Sequence, residues 1–141
     1  MKKIIFLSIV ILSVLALFAK PRKKNTENLP LLNTKWILEE VYGMPVTQGV
    51  DTAFIIFFDN YRISGNFGCN LFFGNFSFGK KRIKLDYVGS TRRLCIDMSL
   101  EDQFSKAIRD DITHYHIEKN KLYLRYKEHV ILKFEGIISP K

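Results

Sequence analysis

Apolar and polar residues alternate along much of the chain after residue 33. Residues 121–126 and 130–134 each place apolar side chains on one face with a period of two, which predicts half-buried β-strands. Residues 53–58 (AFIIFF) are instead continuously apolar, which predicts a strand buried on both faces. The connections are too short for parallel crossovers, so the pattern predicts an antiparallel sheet of about eight strands.

One segment departs from the period of two. Ser99 is the predicted N-cap of a helix, and Asp102 three residues later would complete an acidic variant of the capping box. The helix is predicted over residues ~100–111, because apolar side chains recur there every four positions. These side chains are Leu100, Phe104, Ile108 and Ile112.

Residues 63–76 hold the densest run of turn-forming residues in the chain. Gly65, Gly68 and Gly74 can adopt positive φ without steric cost, and the asparagines between them tolerate it. The phenylalanines of this stretch predict that the bend folds back over a core. The fold class expected is mainly β, a small antiparallel and partly open β-barrel with one helix.

The first residues of the chain have a different composition. Lys2 and Lys3 precede an apolar run that ends at Ala19, which predicts a signal peptide or an uncleaved membrane anchor. The run does not end in cysteine, so the predicted location is exported, periplasmic or membrane-anchored, without a lipid anchor. The predicted division of the chain is a leader over 1–19, a basic polar linker over 20–32, a domain over 33–136 and a tail over 137–141.

The positive charge is concentrated near the N-terminus. The chain carries a net charge of +8, but six of its cations lie in the first 24 residues, and the remainder is close to neutral. Nucleic acid is therefore not an expected partner, because it requires cations arrayed on one face of a domain. Four cations of the linker form either a solvated tether or a contact with a membrane surface: Lys20, Arg22, Lys23 and Lys24.

Short motifs occur in a fixed order between residues 31 and 136. Their main residues are Trp36, Gly65, Gly68, Cys69, Asn70, Gly74, Thr91 and Cys95. This set resembles the META domain, the family of the heat-shock protein HslJ. Two positions depart from the family pattern. Arg93-Leu94 stands where Met-Ala usually precedes the second cysteine, and Leu71 stands where a polar residue usually follows the first.

The resemblance implies a small β-barrel that is broken on one side and carries one helix. Family members are often envelope proteins or lipoproteins, associated with heat response, novobiocin resistance and, in some, secretion or motility. No settled biochemical activity comes with the family. The barrel is also similar to the lipid-binding pilot proteins of secretion channels.

Cys69 and Cys95 are the two cysteines of the chain. In an exported protein such a pair predicts one disulfide. Two alternatives remain open at this point: a pair of buried, reduced thiols, and a reactive catalytic thiol.

Two further groups of polar residues are weaker candidates for a site. His114 and His116 share one face of a predicted strand with Glu118, so they form a weak candidate for a metal site, or an ordinary exposed face. A group of cations could meet phosphate or an acidic partner, or form a solvated strand face. This group consists of Lys80, Lys81, Arg82, Lys84, Arg92 and Arg93.

The expected function is that of a non-enzymatic envelope protein that binds a partner protein or an apolar ligand and supports stress tolerance, with no cofactor. Three alternatives are a pilot-like protein of a secretion channel, an enzyme or metal protein that uses His114 and His116, and a carrier of a lipid or other hydrophobic molecule inside the barrel. The carrier hypothesis predicts a cavity lined by Phe54, Ile56, Phe58, Phe72, Phe73 and Phe76.

Overall fold

A computed structural model describes residues 27–137 of the chain. The predicted leader, the linker cations Lys20, Arg22, Lys23 and Lys24, and residues 138–141 lie outside the described residues. Within residues 27–137, no helix has the length and hydrophobicity needed to span a membrane. The described elements are β1 (Lys35–Val41), β2 (Met44–Pro45), β3 (Phe54–Phe57), β4 (Arg62–Asn66), β5 (Leu71–Phe78), β6 (Ile83–Ser90), α1 (Ser99–Arg109), β7 (His114–Glu118), β8 (Lys121–Tyr126) and β9 (His129–Ile137).

The strands form one antiparallel sheet that curls into a nearly closed barrel. Their order is β6-β5-β4-β3-β1-β9-β8-β7, and β2 pairs with β1. One seam, between β6 and β7, stays unsealed along most of its length. It is joined near the start of β6, where the N–H of Ile83 donates to the carbonyl of Thr113 (3.1 Å) and the N–H of Tyr115 donates to that of Lys81 (3.0 Å). The predicted fold class is confirmed.

Aromatic side chains fill the interior of the barrel. Phe104 of α1 is fully buried at the open seam, and its ring lies edge-on to Phe67 (centroids 5.2 Å apart) and Phe72 (5.8 Å). Phe67 and Phe72 stack on each other at 4.2 Å. Trp36 and Phe57 are also fully buried. The helix therefore closes the core, because its apolar stripe covers the part of the barrel that strand pairing leaves open.

Strand β3 is buried on one face only. Ala53, Ile55 and Phe57 point into the core and are fully buried, whereas Phe54 and Ile56 are half-buried on the outer surface. The prediction of a strand buried on both faces is therefore wrong. Both alternating sets of side chains in this strand are apolar, so periodicity could not show which set faces inward.

The cavity that the carrier hypothesis requires is also not formed by the residues proposed for it. Phe72 and Phe76 are buried among the core side chains. The other four, Phe54, Ile56, Phe58 and Phe73, lie on the outside of the barrel and are half-buried or exposed.

The glycine-rich stretch 63–76 is a hairpin rather than one continuous bend. Of its three glycines only Gly68 has a positive φ, +106°, and it lies in the turn between β4 and β5. Gly65 and Gly74 lie within the strands. At Gly65 an added Cβ would come within 2.2 Å of the Phe54 carbonyl oxygen and 2.5 Å of the Phe72 ring. This glycine is required for close packing rather than for backbone conformation.

Helix α1 begins at Ser99 and ends at Arg109, close to the predicted bounds. The predicted cap at Ser99 is wrong. The carboxylate of Asp97 instead accepts hydrogen bonds from the hydroxyl of Ser99 (2.6 Å) and from its backbone N–H (2.8 Å). These two hydrogen bonds hold the pKa of Asp97 below its usual value, as expected for an anion that accepts hydrogen bonds at a helix N-terminus.

The domain begins before residue 33. Leu31 is buried, and its carbonyl accepts a hydrogen bond from the indole N–H of Trp36 (3.0 Å). The N–H of Leu29 donates to the carbonyl of Lys119 (2.8 Å). The predicted linker over 20–32 therefore includes residues that pack against the barrel. The polar residues that surround them in the sequence led to the prediction of a linker.

We predict that Gly65→Ala destabilises the domain by about 3 kcal/mol, because the new methyl group has no space between two strands. The matched control is Gly79→Ala, where nothing lies within 4 Å of the added Cβ. Urea unfolding of the two variants checks this. Equal midpoints for both would contradict the packing role assigned to Gly65.

Candidate functional site

The side chain of Asn70 joins three parts of the chain at the β4–β5 end of the barrel. Its amide oxygen accepts hydrogen bonds from the hydroxyl of Thr91 (2.8 Å) and the backbone N–H of Arg93 (2.6 Å). Its amide nitrogen donates to the carbonyl of Arg93 (2.9 Å) and to Oε1 of Glu101 (3.0 Å). The side chain is 2% exposed, and both donors and both acceptor positions of the amide are used.

Glu101 connects this arrangement to the helix. In addition to the side-chain contact, its Oε2 accepts a hydrogen bond from the backbone N–H of Asn70 (2.9 Å). We name Asn70, Thr91, Arg93 and Glu101 the Asn70 clamp. Glu101 lies in the first turn of the helix, where an acidic residue is favoured by the helix dipole, and it is one of the residues that carry the family resemblance. Its partner lies 31 positions away, and no local signal indicates that contact.

The turn that carries Asn70 is shaped by its own side chains. The Oδ1 of Asn66 accepts a hydrogen bond from the N–H of Gly68 (2.7 Å), two residues on, which is the local bond expected of asparagine in turns. The N–H of Phe67 donates to the carbonyl of Asn70 (2.8 Å) and closes the turn. This geometry points the Asn70 side chain toward the segment that follows β6.

Cys69 and Cys95 lie at disulfide distance, with their Cα atoms 6.3 Å apart, within the usual range for a disulfide. The described residues contain no free cysteine. The disulfide joins the β4–β5 turn to the segment between β6 and α1, the same two parts of the chain that the Asn70 clamp connects. Most of the motif residues singled out from the sequence therefore have a structural role here.

An open cleft of about 580 Å³ lies beside the clamp. The guanidinium of Arg93 pairs with Asp51 on one side of it and donates to the carbonyl of Cys69 (2.6 Å). The ammonium of Lys35 lies 4.2 Å from the centre of the Phe54 ring. The cleft thus combines fixed cations with apolar walls. Asp51 gave no signal in the sequence, because it lies in an irregular loop.

The outer surface of strands β3 to β5 carries a group of apolar side chains on either side of β4. The strand register places Ile56 beside Ser64 and Ser64 beside Phe73, and it places Phe54 and Leu71 on either side of Asn66. We name Phe54, Ile56, Phe58, Leu71 and Phe73 the β3–β5 face. Leu71 is 53% exposed and Phe73 46% exposed. The small side chain of Ser64 leaves a shallow cleft of about 310 Å³ near Phe58 and Phe73.

Two more aliphatic side chains extend this surface. Leu94 is 93% exposed and Ile96 is fully exposed. Both lie in the segment that is tied to Asn70 and Leu71 by the clamp, by the disulfide and by the bond from the Leu71 N–H to the Thr91 hydroxyl (3.1 Å). Side chains on a segment held in this way lose little entropy on binding.

The outer surface on the opposite side of the barrel is charged instead. Lys121 pairs with Glu39 (2.5 Å) and Glu135 (3.3 Å), and Lys133 pairs with Glu40 (2.6 Å). Partial burial lowers the pKa of Lys121, but the hydrogen bonds to Glu39 and Glu135 outweigh it and raise the pKa above its usual value. This contrast distinguishes the β3–β5 face from an ordinary strand surface.

The six cations predicted as one group are divided between the two ends of β6. Lys80, Lys81 and Arg82 lie in the β5–β6 turn, and Lys84 is the second residue of β6. Arg92 and Arg93 follow the other end of that strand, which is eight residues long and spans about 26 Å. The prediction of a single cluster is therefore wrong, because the strand between them is extended.

The two histidines proposed as a weak metal site lie on β7. His116 stacks on Tyr123 with ring centres 6.2 Å apart, and Nδ1 of His114 lies 2.9 Å from the hydroxyl of Thr113. Among the residues that the structure describes, no three His, Cys, Asp or Glu side chains form a group that could hold a metal ion.

The family model of the META domain matches residues 29–136. A protein whose structure was solved by NMR is 24% identical over 73% of this chain and 88% of its own, with a TM-score of 0.57. At that level of identity the similarity shows the fold alone. No curated protein matches the sequence.

We predict that Asn70→Asp lowers the free energy of unfolding by about 3 kcal/mol or more, because a buried carboxylate would face the Arg93 carbonyl and the Glu101 carboxylate. Asn75→Asp makes the same chemical change at an exposed position of the same hairpin and should change stability by less than about 0.5 kcal/mol. Chemical denaturation measures both. Similar losses in the two variants would refute the role of Asn70.

We also predict that the denatured, unreduced protein contains no titratable thiol. Reduction should then lower stability by about 3.5 kcal/mol in the chain-entropy model, given a separation of 26 residues between the cysteines. Thiol titration and thermal unfolding with and without reductant check this. Two free thiols in freshly prepared protein from an oxidising compartment would contradict the pairing.

Proposed function

This chain belongs to the META domain family, and we propose that it is a non-enzymatic, exported protein of the cell envelope that binds a partner protein through the β3–β5 face. The proposal rests mainly on one observation. Strands β3 and β5, with Phe58 directly after β3, place five half-buried or exposed apolar side chains on the outer surface on either side of β4, at positions where alternation normally places polar residues.

A contiguous apolar surface of this kind is typical of a protein–protein interface. Full burial of a leucine or phenylalanine contributes about 1.5 to 3 kcal/mol. Since Leu71 and Phe73 are about half exposed, covering each would contribute about 1 kcal/mol. The clamp and the disulfide support binding at this surface by holding its edge in place before a partner arrives.

Two kinds of observation support export. The sequence begins with two cations and an apolar run, as signal peptides do, and the paired cysteines suit an oxidising compartment. Stress tolerance is the physiological role that family resemblance suggests. A pilot-like role in secretion is the second candidate, and it would use the same surface.

The carrier hypothesis has less support. The residues named for its cavity either fill the core or face solvent. An apolar ligand would therefore have to bind on the outer β3–β5 face, in the shallow cleft beside Ser64. A groove of that kind covers only part of a ligand, whereas carrier sites enclose most of it.

The proposal is tested by placing a photo-crosslinking phenylalanine analogue at Phe73 in the full chain, in cells that produce it. We expect one discrete adduct with an envelope protein, because the analogue replaces one aromatic ring of the contact surface with another. The same analogue at Lys127, an exposed residue of the β8–β9 turn, is the control and should give no such adduct.

A second variant separates binding from folding. With the analogue at Leu71, Phe73→Asp should abolish the adduct, whereas Ser77→Asp should preserve it, because Ser77 is an exposed residue of the same strand outside the β3–β5 face. The proposal is wrong if the positions of the face and the control position give the same adducts, or if purified protein lacking any partner shows a robust enzymatic activity.

A further inference from the structure

We propose that one end of the barrel docks on an anionic lipid surface. This end, which we name the turn end, comprises residues 59–61 of the β3–β4 turn, the β5–β6 turn (79–82) and the β7–β8 turn (119–120). The β3–β4 and β5–β6 turns are neighbours, because Arg62 pairs with Asn75 and the N–H of Phe76 donates to the carbonyl of Tyr61 (2.9 Å). The register places the β7–β8 turn at the same end, since the first residue of β1 lies opposite the ends of β3 and β9, and Glu135 of β9 lies opposite the first residue of β8.

The β5–β6 turn carries a concentrated positive charge. Lys80, Lys81 and Arg82 are consecutive and exposed, and Lys84 follows them. Among the described residues, the acidic side chain paired with this group is Asp86, 3.5 Å from Lys84, and both members of that pair are more than half exposed. An anionic membrane surface strengthens binding by roughly fivefold for each such cation near it.

Exposed aromatic rings lie beside these cations. Tyr61 of the β3–β4 turn is 58% exposed and Phe78 is 38% exposed, with ring centres 6.3 Å apart. Tyrosine is enriched at the level of lipid headgroups, because its ring is apolar and its hydroxyl is polar. Tyr61 also has a φ of +61°, a conformation that bulky residues seldom adopt. The cation–aromatic combination favours a lipid surface over a purely ionic partner.

The N-terminal segment enters the domain at the same end. Lys119 donates its backbone N–H to the Oδ1 of Asn28 (2.7 Å) and accepts a bond from the N–H of Leu29 (2.8 Å). Lys24 precedes Asn28 by four residues in the sequence, so the basic run to which it belongs joins the domain at this end. A leader retained in the membrane, or the basic linker resting on it, would therefore bring the turn end toward the lipid.

Acidic residues at this end limit the contact to the surface of the turns. Asp59 is exposed in the β3–β4 turn. Asp111 lines an open cleft of about 380 Å³ that Arg82 and Lys84 also border, and its charge opposes an anion inside that cleft. The proposed contact is thus a docking surface and not a pocket for one lipid molecule.

The test uses the full chain in lipid nanodiscs, with an environment-sensitive fluorescent amino acid in place of Tyr61. Nanodiscs of phosphatidylcholine are compared with an equal mixture of phosphatidylcholine and phosphatidylglycerol. We expect a blue shift of emission on the anionic nanodiscs alone, reversed by salt because salt screens exposed charges. The same fluorophore at Glu128, whose side chain is 96% exposed at the opposite end, should not shift.

Two triple variants that remove the same number of charges show whether the emission shift depends on the cations of the β5–β6 turn or on the net charge of the protein. The triple change Lys80→Ser, Lys81→Ser and Arg82→Ser should reduce the docking affinity by roughly 100-fold, and Lys80→Ser alone by roughly fivefold. A control that removes three exposed cations elsewhere should retain the shift: Arg92→Ser, Lys106→Ser and Lys127→Ser. Unfolding midpoints are measured for all variants.

Three results would overturn the proposal. One is an equal shift on neutral nanodiscs, which would indicate insertion by the leader alone. Another is an equal loss in the control triple, which would indicate an effect of net charge. The last is a shift at Glu128 without one at Tyr61, which would place the opposite end on the membrane.

Discussion

The amide of Asn70 is the interaction on which one end of this barrel depends. It is buried, and its hydrogen bonds connect the β4–β5 turn, the segment after β6 and the helix. Leaving a buried amide without hydrogen-bond partners destabilises the fold by more than one satisfied hydrogen bond stabilises it. Detaching any one of these three parts of the chain should therefore weaken the attachment of the other two. The disulfide between Cys69 and Cys95 reinforces the same connection covalently.

This connection explains how an incomplete barrel can have a fully buried apolar core. Strand pairing leaves the β6–β7 seam open beyond Ile83, and α1 covers the gap with Phe104. Glu101 fixes the first turn of that helix to Asn70. Because the interior is packed and its closure is fixed at one end, the side chains on the outside of the strands do not have to stabilise the fold. Their polarity differs around the barrel: the outer surface of β1, β8 and β9 is charged, whereas the β3–β5 face is apolar.

The sequence predicted the helix and strands more accurately than it predicted which side of a strand faces the core or which residues are in contact. In β8 and β9 the alternation assigned Leu122, Leu124 and Phe134 to the core, where the structure has them. In β3 both alternating sets are apolar, so the inward set could not be identified. Gly65 was expected to allow a bend, but its role is to leave room beside β4 for the Phe72 ring and the Phe54 carbonyl, and such close approach is a tertiary property that sequence does not display.

The candidate site was predicted in its residues but not in its arrangement. The motif indicated Asn70, Thr91 and the cysteines, while the contact with Glu101 spans 31 positions and has no local signature. The cations of residues 80–84 and 92–93 were grouped because they are close in sequence. An extended strand of the length of β6 separates such residues, and that consideration alone would have divided them.

A double-mutant cycle between Asn70 and Glu101 measures how far the position of the helix depends on the Asn70 amide. Asn70→Ala, Glu101→Ala and the double variant are compared by chemical denaturation. We expect a coupling free energy of about 1.5 kcal/mol or more, since one residue loses its partner when the other is removed. Additive effects within about 0.5 kcal/mol would contradict it and show that the helix is held in place by packing alone.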